Sequence, residues 1–180
     1  EFIHRMVSRA AEKGQMSEQD ATAANGRLQI VGSLDEMADC GMVIEAIVER
    51  LDAKNDLFRK LESIVRATSI LATNTSSISI TRLAAATDRP ERFMGVHFMN
   101  PVPVMQLVEL IRGIATDQPT YDACHAVVDR LGKTAASAED YPAFIVNRIL
   151  IPMINEAVYA LYEGVGNVRS IDQAMKLGAN

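Results

Sequence analysis

The residues in this chain best equipped for chemistry are His97 and Glu109, both in the stretch GVHFMNPVPVMQLVEL, residues 95–110. An imidazole can take up and return a proton near neutral pH, and a carboxylate at hydrogen-bond distance fixes its tautomer and stabilises the imidazolium that forms. Asn100-Pro101-Val102-Pro103 lies between them. Its prolines fix φ and deny helix, so the chain turns and two neighbouring extended segments can face each other. Ser76, in Asn74-Thr75-Ser76-Ser77, adds a hydroxyl that could hydrogen-bond a substrate carbonyl.

These groups meet only if strands deliver them. Apolar runs at 42–48 (MVIEAIV), 69–73 (SILAT), 92–98 (RFMGVHF) and 105–111 (MQLVELI) read as strands, with further short strands at 28–33 (LQIVGS) and 133–138 (KTAASA). Helical spacing covers 2–13, 51–65, 79–86 and 121–132, and Ser17 opens another helix with Asp20 completing an approximate capping box. Strands alternating with helices imply an α/β fold with a parallel sheet covered on both faces. From Ile145 the pattern changes to helices without strands. Ile149, Leu150, Met153, Ile154, Ala157, Val158 and Leu161 form a wide apolar stripe that Pro152 should kink, and a last helix follows with Ser170 as its expected N-cap.

Ligands of open parallel sheets bind beyond the carboxyl ends of the strands. Glu49, the 74–77 loop, and His97 with Asn100 all fall at that level. Each also has an ordinary structural reading. The loop serines could cap a helix, His97 could be a hydrogen-bonded core residue, Glu109 could face solvent on an edge strand, and Glu49 could be the first-turn acid of the next helix. Taken together they point to two chemistries. Ser76, His97 and Glu109 have the residue types of a hydrolase triad, but no GxSxG elbow surrounds the serine. The nucleotide-type sheet favours removal of a hydroxyl proton coupled to hydride transfer.

Bulk properties exclude several other classes. The chain has 180 residues, 48% hydrophobic and 23% charged, the balance of a globular protein. A net charge of −5 argues against a nucleic-acid or anionic-membrane surface, and no apolar run approaches the roughly 20 residues of a membrane span. Cys40 and Cys124 stand outside any Cys/His cluster, so neither disulfides nor a metal site is expected, and both should be buried as small apolar residues. EFIHRMVSRAAEKG reads as helix at once, with no initiator Met or signal-peptide pattern, so a portion of a longer chain is expected.

The ordered blocks VIEAIVERLDAKNDLF, ATNTSSISI, RFMGVHFMNPVPVMQLVELI, AFIVNRILIPMINEA and IDQAMKLGA resemble the 3-hydroxyacyl-CoA dehydrogenase family, particularly its single-function, 3-hydroxybutyryl-CoA type. The resemblance implies a Rossmann-like, mostly parallel sheet whose N-terminal part is missing, residues 1–140, followed by the start of an all-helical substrate and dimerisation domain, residues 141–180. It implies NAD-dependent oxidation of (S)-3-hydroxyacyl-CoA to 3-oxoacyl-CoA (acetoacetyl-CoA for the short-chain type) in fatty acid and butanoate metabolism. The implied protein is cytoplasmic and homodimeric through its C-terminal helices.

By the same resemblance His97 is the base and Glu109 its carboxylate partner. Ser76 contacts substrate and cofactor, Asn147 helps hold the acyl group, and Glu49, Lys54 and Asn100 are cofactor-contacting positions. Arg5, Arg9 and Lys13 are candidates for CoA contacts by charge alone. The sequence departs from the family in lacking a GxGxxG phosphate-binding turn, so the 180-residue chain by itself is expected to bind NAD weakly. The competing expectation, from a different class, is a non-catalytic module that oligomerises through the apolar face of residues 145–161.

Overall fold

A computed structural model describes residues 2–179; Glu1 and Asn180, the outer ends of the two expected domains, lie outside the described residues. Contacts divide the chain into two units, residues 1–37 and 38–180.

In the first unit α1 (Phe2–Glu12) and α2 (Glu18–Gly26) are tied by His4 Nδ1 and Asn25 Oδ1 at 2.9 Å. Ser17 caps α2 as expected, accepting the Asp20 N–H at 3.0 Å and donating its hydroxyl to the Asp20 carboxylate. The strand expected at 28–33 does not form. Ile30 is 79% exposed, and the Glu36 carboxylate accepts the N–H groups of Gly32 and Ser33 at 2.9 and 3.0 Å, opening a 3-10 turn over Leu34–Met37. A short apolar run without a partner strand loses to local capping.

The second unit holds one sheet of five strands in the order β1 (Met42–Glu45), β2 (Ile70–Thr73), β3 (Phe93–Phe98), β4 (Leu107–Arg112) and β5 (Thr134–Glu139). All neighbours are parallel except β3 and β4. The chain between those two is too short for a crossover helix, which parallel pairing requires. β1 stops at Glu45 rather than Val48, because the Glu45 carboxylate accepts the Ile47 N–H at 2.5 Å and turns the chain outward.

Helices α3 (Leu51–Ile64), α4 (Ile80–Ala84) and α5 (Gln118–Arg130) follow the strands, and α6 (Val146–Tyr162) and α7 (Val168–Gly178) end the chain. α5 begins at Gln118, earlier than the apolar spacing indicates, because Asp117 accepts the Thr120 N–H at 2.8 Å and Pro119 suits the first turn. α7 is capped by Asn167, not Ser170, whose own N–H donates to the Asn167 side chain at 2.9 Å. α6 continues through Pro152.

The core forms on the sheet. Ile70, Ala72, Met94, Val96, Val108 and Leu110 pack with Cys124 and Val128 of α5. Gly95 explains the close seat of α4: a Cβ there would lie 2.8 Å from Ile80 Cδ1 and 2.9 Å from Ile111 Cβ. Asp140 then ties the end of β5 to α4, accepting the Ser79 hydroxyl and the N–H groups of Ile80 and Thr81 at 2.7, 2.9 and 2.8 Å. Cys124 is buried as expected, with its thiol pKa pushed up to about 12 by burial, but Cys40 is exposed. Among the described residues no helix is long and apolar enough to cross a membrane, and no side-chain cluster suits a metal ion.

Candidate active site

Antiparallel pairing sets His97 directly opposite Glu109, so both side chains leave the same face of the sheet. His97 is 5% exposed and Glu109 is fully buried. A buried carboxylate must be satisfied on both oxygens. Here Oε2 meets His97 Nδ1 at 2.8 Å, while Oε1 accepts the N–H groups of Ile145 and Val146 at 3.0 and 2.9 Å, where a helix N-terminus favours negative charge. Ala143 and Phe144 make that turn with φ of 69° and 54°, left-handed values that non-glycine residues rarely adopt. Phe144 is buried edge-on against the His97 ring, centroids 5.8 Å apart.

With Nδ1 facing a carboxylate acceptor, the imidazole carries its proton there and presents the Nε2 lone pair outward. Nε2 lies 3.0 Å from Ser76 Oγ, whose hydroxyl donates to it. The loop carrying Ser76 is held from both sides. Asn74 Oδ1 accepts the Phe98 N–H at 2.8 Å, joining the ends of β2 and β3. Glu49 accepts the Thr75 hydroxyl, the Ser76 N–H at 2.9 Å, and both the N–H and hydroxyl of Ser77 at 3.3 Å. Burial pushes the Glu49 carboxyl up, but Thr75, the Ser76 N–H and Lys54 outweigh it and hold its pKa below the ordinary glutamate value.

Ser76, His97 and Glu109 are thus in one hydrogen-bonded line. Asn147 is half-buried in the first turn of α6, next to Val146, and Asn100 is exposed just after β3. Glu49 stands at the same strand edge with 41% of its side chain exposed. Lys54, expected to meet a cofactor, is held here between two carboxylates. It is 1% exposed, and its ammonium lies 2.7 and 2.9 Å from the two Glu45 oxygens and 3.2 Å from Glu49. Glu45, itself 3% exposed, is the site residue that sequence reasoning missed. Its signal was present as a lone acid inside the apolar run MVIEAIV, which a buried strand tolerates only with a charged partner.

The line admits either a serine nucleophile or a histidine base acting on a bound alcohol. Residues 1–141 match the family model of the 3-hydroxyacyl-CoA dehydrogenase NAD binding domain, and residues 144–180 that of the 3-hydroxyacyl-CoA dehydrogenase C-terminal domain. A 3-hydroxybutyryl-CoA dehydrogenase of Bradyrhizobium diazoefficiens is 57% identical over 178 residues, covering 99% of this chain and 61% of the relative. The human mitochondrial hydroxyacyl-coenzyme A dehydrogenase is 48% identical over 138 residues, 77% of this chain and 44% of that protein. The crystal structure of an (S)-3-hydroxybutyryl-CoA dehydrogenase from Ralstonia eutropha superposes with a TM-score of 0.96 at 45% identity, covering 99% of this chain and 63% of that one. The chain therefore spans under two thirds of the length of these relatives. With both of the family's domain models matched in order and the fold reproduced, the chain belongs to the 3-hydroxyacyl-CoA dehydrogenase family.

Proposed function

We propose that the protein catalyses the NAD-dependent oxidation of (S)-3-hydroxyacyl-CoA, with 3-hydroxybutyryl-CoA as the favoured substrate, to the 3-oxoacyl-CoA. The observation that carries this reading is the buried 2.8 Å contact of His97 Nδ1 with Glu109, which leaves Nε2 as the accepting atom. In the oxidising direction the 3-hydroxyl donates its proton to Nε2, the O–H bond breaks and the C3–O bond becomes a carbonyl. NAD, when bound, supplies the acceptor for the hydride that leaves C3. Glu109 stabilises the imidazolium produced, and the proton returns to solvent after product leaves. Ser76 turns its hydroxyl from Nε2 to the substrate oxygen, and Asn147 holds the acyl group from the start of α6.

The residues present suit the nicotinamide end of the cofactor. Glu49, Ser76, Ser77 and Asn100 are exposed polar groups at the strand edge, which supports contact with the ribose and carboxamide. No GxGxxG cradle for the pyrophosphate occurs in these 180 residues. Residues 1–140 and 141–180 serve in this reading as portions of an NAD-binding and a helical substrate domain, with a homodimer formed through the C-terminal helices in the cytoplasm. The exposed apolar face of α6, with Ile149 at 65% and Val158 at 59%, favours the second reading of a non-catalytic oligomerising module.

Acetoacetyl-CoA-dependent loss of NADH absorbance in the intact protein separates them. Turnover is expected, and Ser76→Ala should retain part of it with no acyl-enzyme detectable by mass. Absent turnover leaves the module; a covalent acyl-serine would restore the hydrolase reading.

A further inference from the structure

Beneath the Ser76 loop lies a buried ion cluster to which the proton transfer itself gives no task. Lys54, in the second turn of α3, is enclosed by Glu45 at 2.7 and 2.9 Å and by Glu49 at 3.2 Å. Two carboxylates share one ammonium. Removing such charges from water costs several kcal/mol per ion, and an apolar replacement of similar volume is often no less stable. The cluster is therefore poorly explained as a source of stability.

Its connections lead in one direction. Glu45 Oε2 accepts the Thr73 hydroxyl at 2.7 Å, and Thr73 Oγ1 accepts the Thr75 N–H at 3.3 Å. Glu49 takes the Ser76 and Ser77 N–H groups. Both arms end on the loop that sets Ser76 Oγ 3.0 Å from His97 Nε2. We propose that Glu45, Lys54 and Glu49 are a positioning relay. Glu45 fixes the ammonium, the ammonium fixes Glu49, and Glu49 aims Ser76 at the base and its substrate. In this reading Lys54 acts on Ser76 through Glu49. The inference deepens the dehydrogenase reading and rests on it.

The test uses the intact protein, with kcat and KM measured separately and the ¹⁵N resonance of His97 Nε2 as a record of the Ser76 hydrogen bond. Lys54→Met leaves Glu45 and Glu49 facing each other without a cation, so Glu49 releases the loop. kcat should fall roughly 10- to 100-fold, the scale of an ångström-sized misplacement, with the acyl-CoA KM changed less than about threefold. The His97 resonance should move to its position in Ser76→Ala.

Lys54→Met could also weaken folding, because it strands the buried Glu45. The double variant Glu45→Gln/Lys54→Met removes that stranded charge. It should regain the melting temperature yet keep the lowered kcat and the shifted resonance. Recovery of kcat and resonance in the double variant, or their retention in Lys54→Met, overturns the relay. If His97→Gln is inactive in those same assays, only the relay has failed; if His97→Gln turns over normally, the dehydrogenase reading has failed with it.

Discussion

The strands of the sheet and helix α6 are similarly rich in apolar residues and treat them in opposite ways. β2 is buried along its whole length, and β3 is buried from Phe93 to His97. α6 buries none of its residues, and Ile149, Ile151 and Ile154 are all more than half exposed. Apolar patterning therefore reports what a segment is built to cover, and in α6 the described residues do not supply the cover. The site sits where the two regimes join, since Glu109 holds His97 from the sheet with one oxygen and the first N–H groups of α6 with the other.

The contrast can be broken at several points. Phe58, fully buried and edge-on to Phe93 at 4.7 Å, should cost about 3–5 kcal/mol when changed to Ala, read as a lowered urea midpoint with an unchanged slope. Gly95→Ala should cost about 1–3 kcal/mol by forcing Ile80 and Ile111 apart, and a variant of wild-type stability would show that α4 is loosely seated. At the small end, Ile151→Ser on α6 should change the stability of this 180-residue chain by no more than about 0.5 kcal/mol, because Ile151 is already 59% exposed. A large loss there would mean the helix is covered after all.

Between these lies a pH effect. Burial pushes the Asp140 carboxyl up, but the Ser79 hydroxyl and the Thr81 and Ile80 N–H groups prevail and hold its pKa below the ordinary value of 3.8. A depressed folded pKa contributes stability that is fully present above the unfolded value and is lost as pH falls through the folded one. Urea midpoints should therefore decline below about pH 4, and Asp140→Asn should flatten that part of the curve. An equally steep decline in the variant would remove Asp140 from the explanation.

Much of the fold was legible because period and turn chemistry agreed. Four of the strands expected in the second unit are close to those formed, and Ser17 caps α2 as its spacing indicates. The failures have local causes. Residues 28–33 have strand composition but pair with no strand, and β1 is shorter than its apolar run because the Glu45–Ile47 turn is a side-chain effect inside that run. Cys40 was expected inside on residue type alone.

At the site, residue types and the Asn-Pro-Val-Pro turn were enough to pair His97 with Glu109, though only the antiparallel register makes them exact neighbours. Lys54 was not legible as a buried cation, because a lysine on an amphipathic helix ordinarily extends to solvent. Its partner in β1 becomes evident only when strand and helix are superposed in space.

The measurement closest to the centre of the mechanism is the turnover of His97→Gln in the intact protein, with melting temperature as the control for folding. A general base contributes about 10²- to 10⁴-fold, so kcat should drop by that factor while the protein stays folded. Near-normal oxidation by a folded His97→Gln protein would contradict the assignment of His97 as the base.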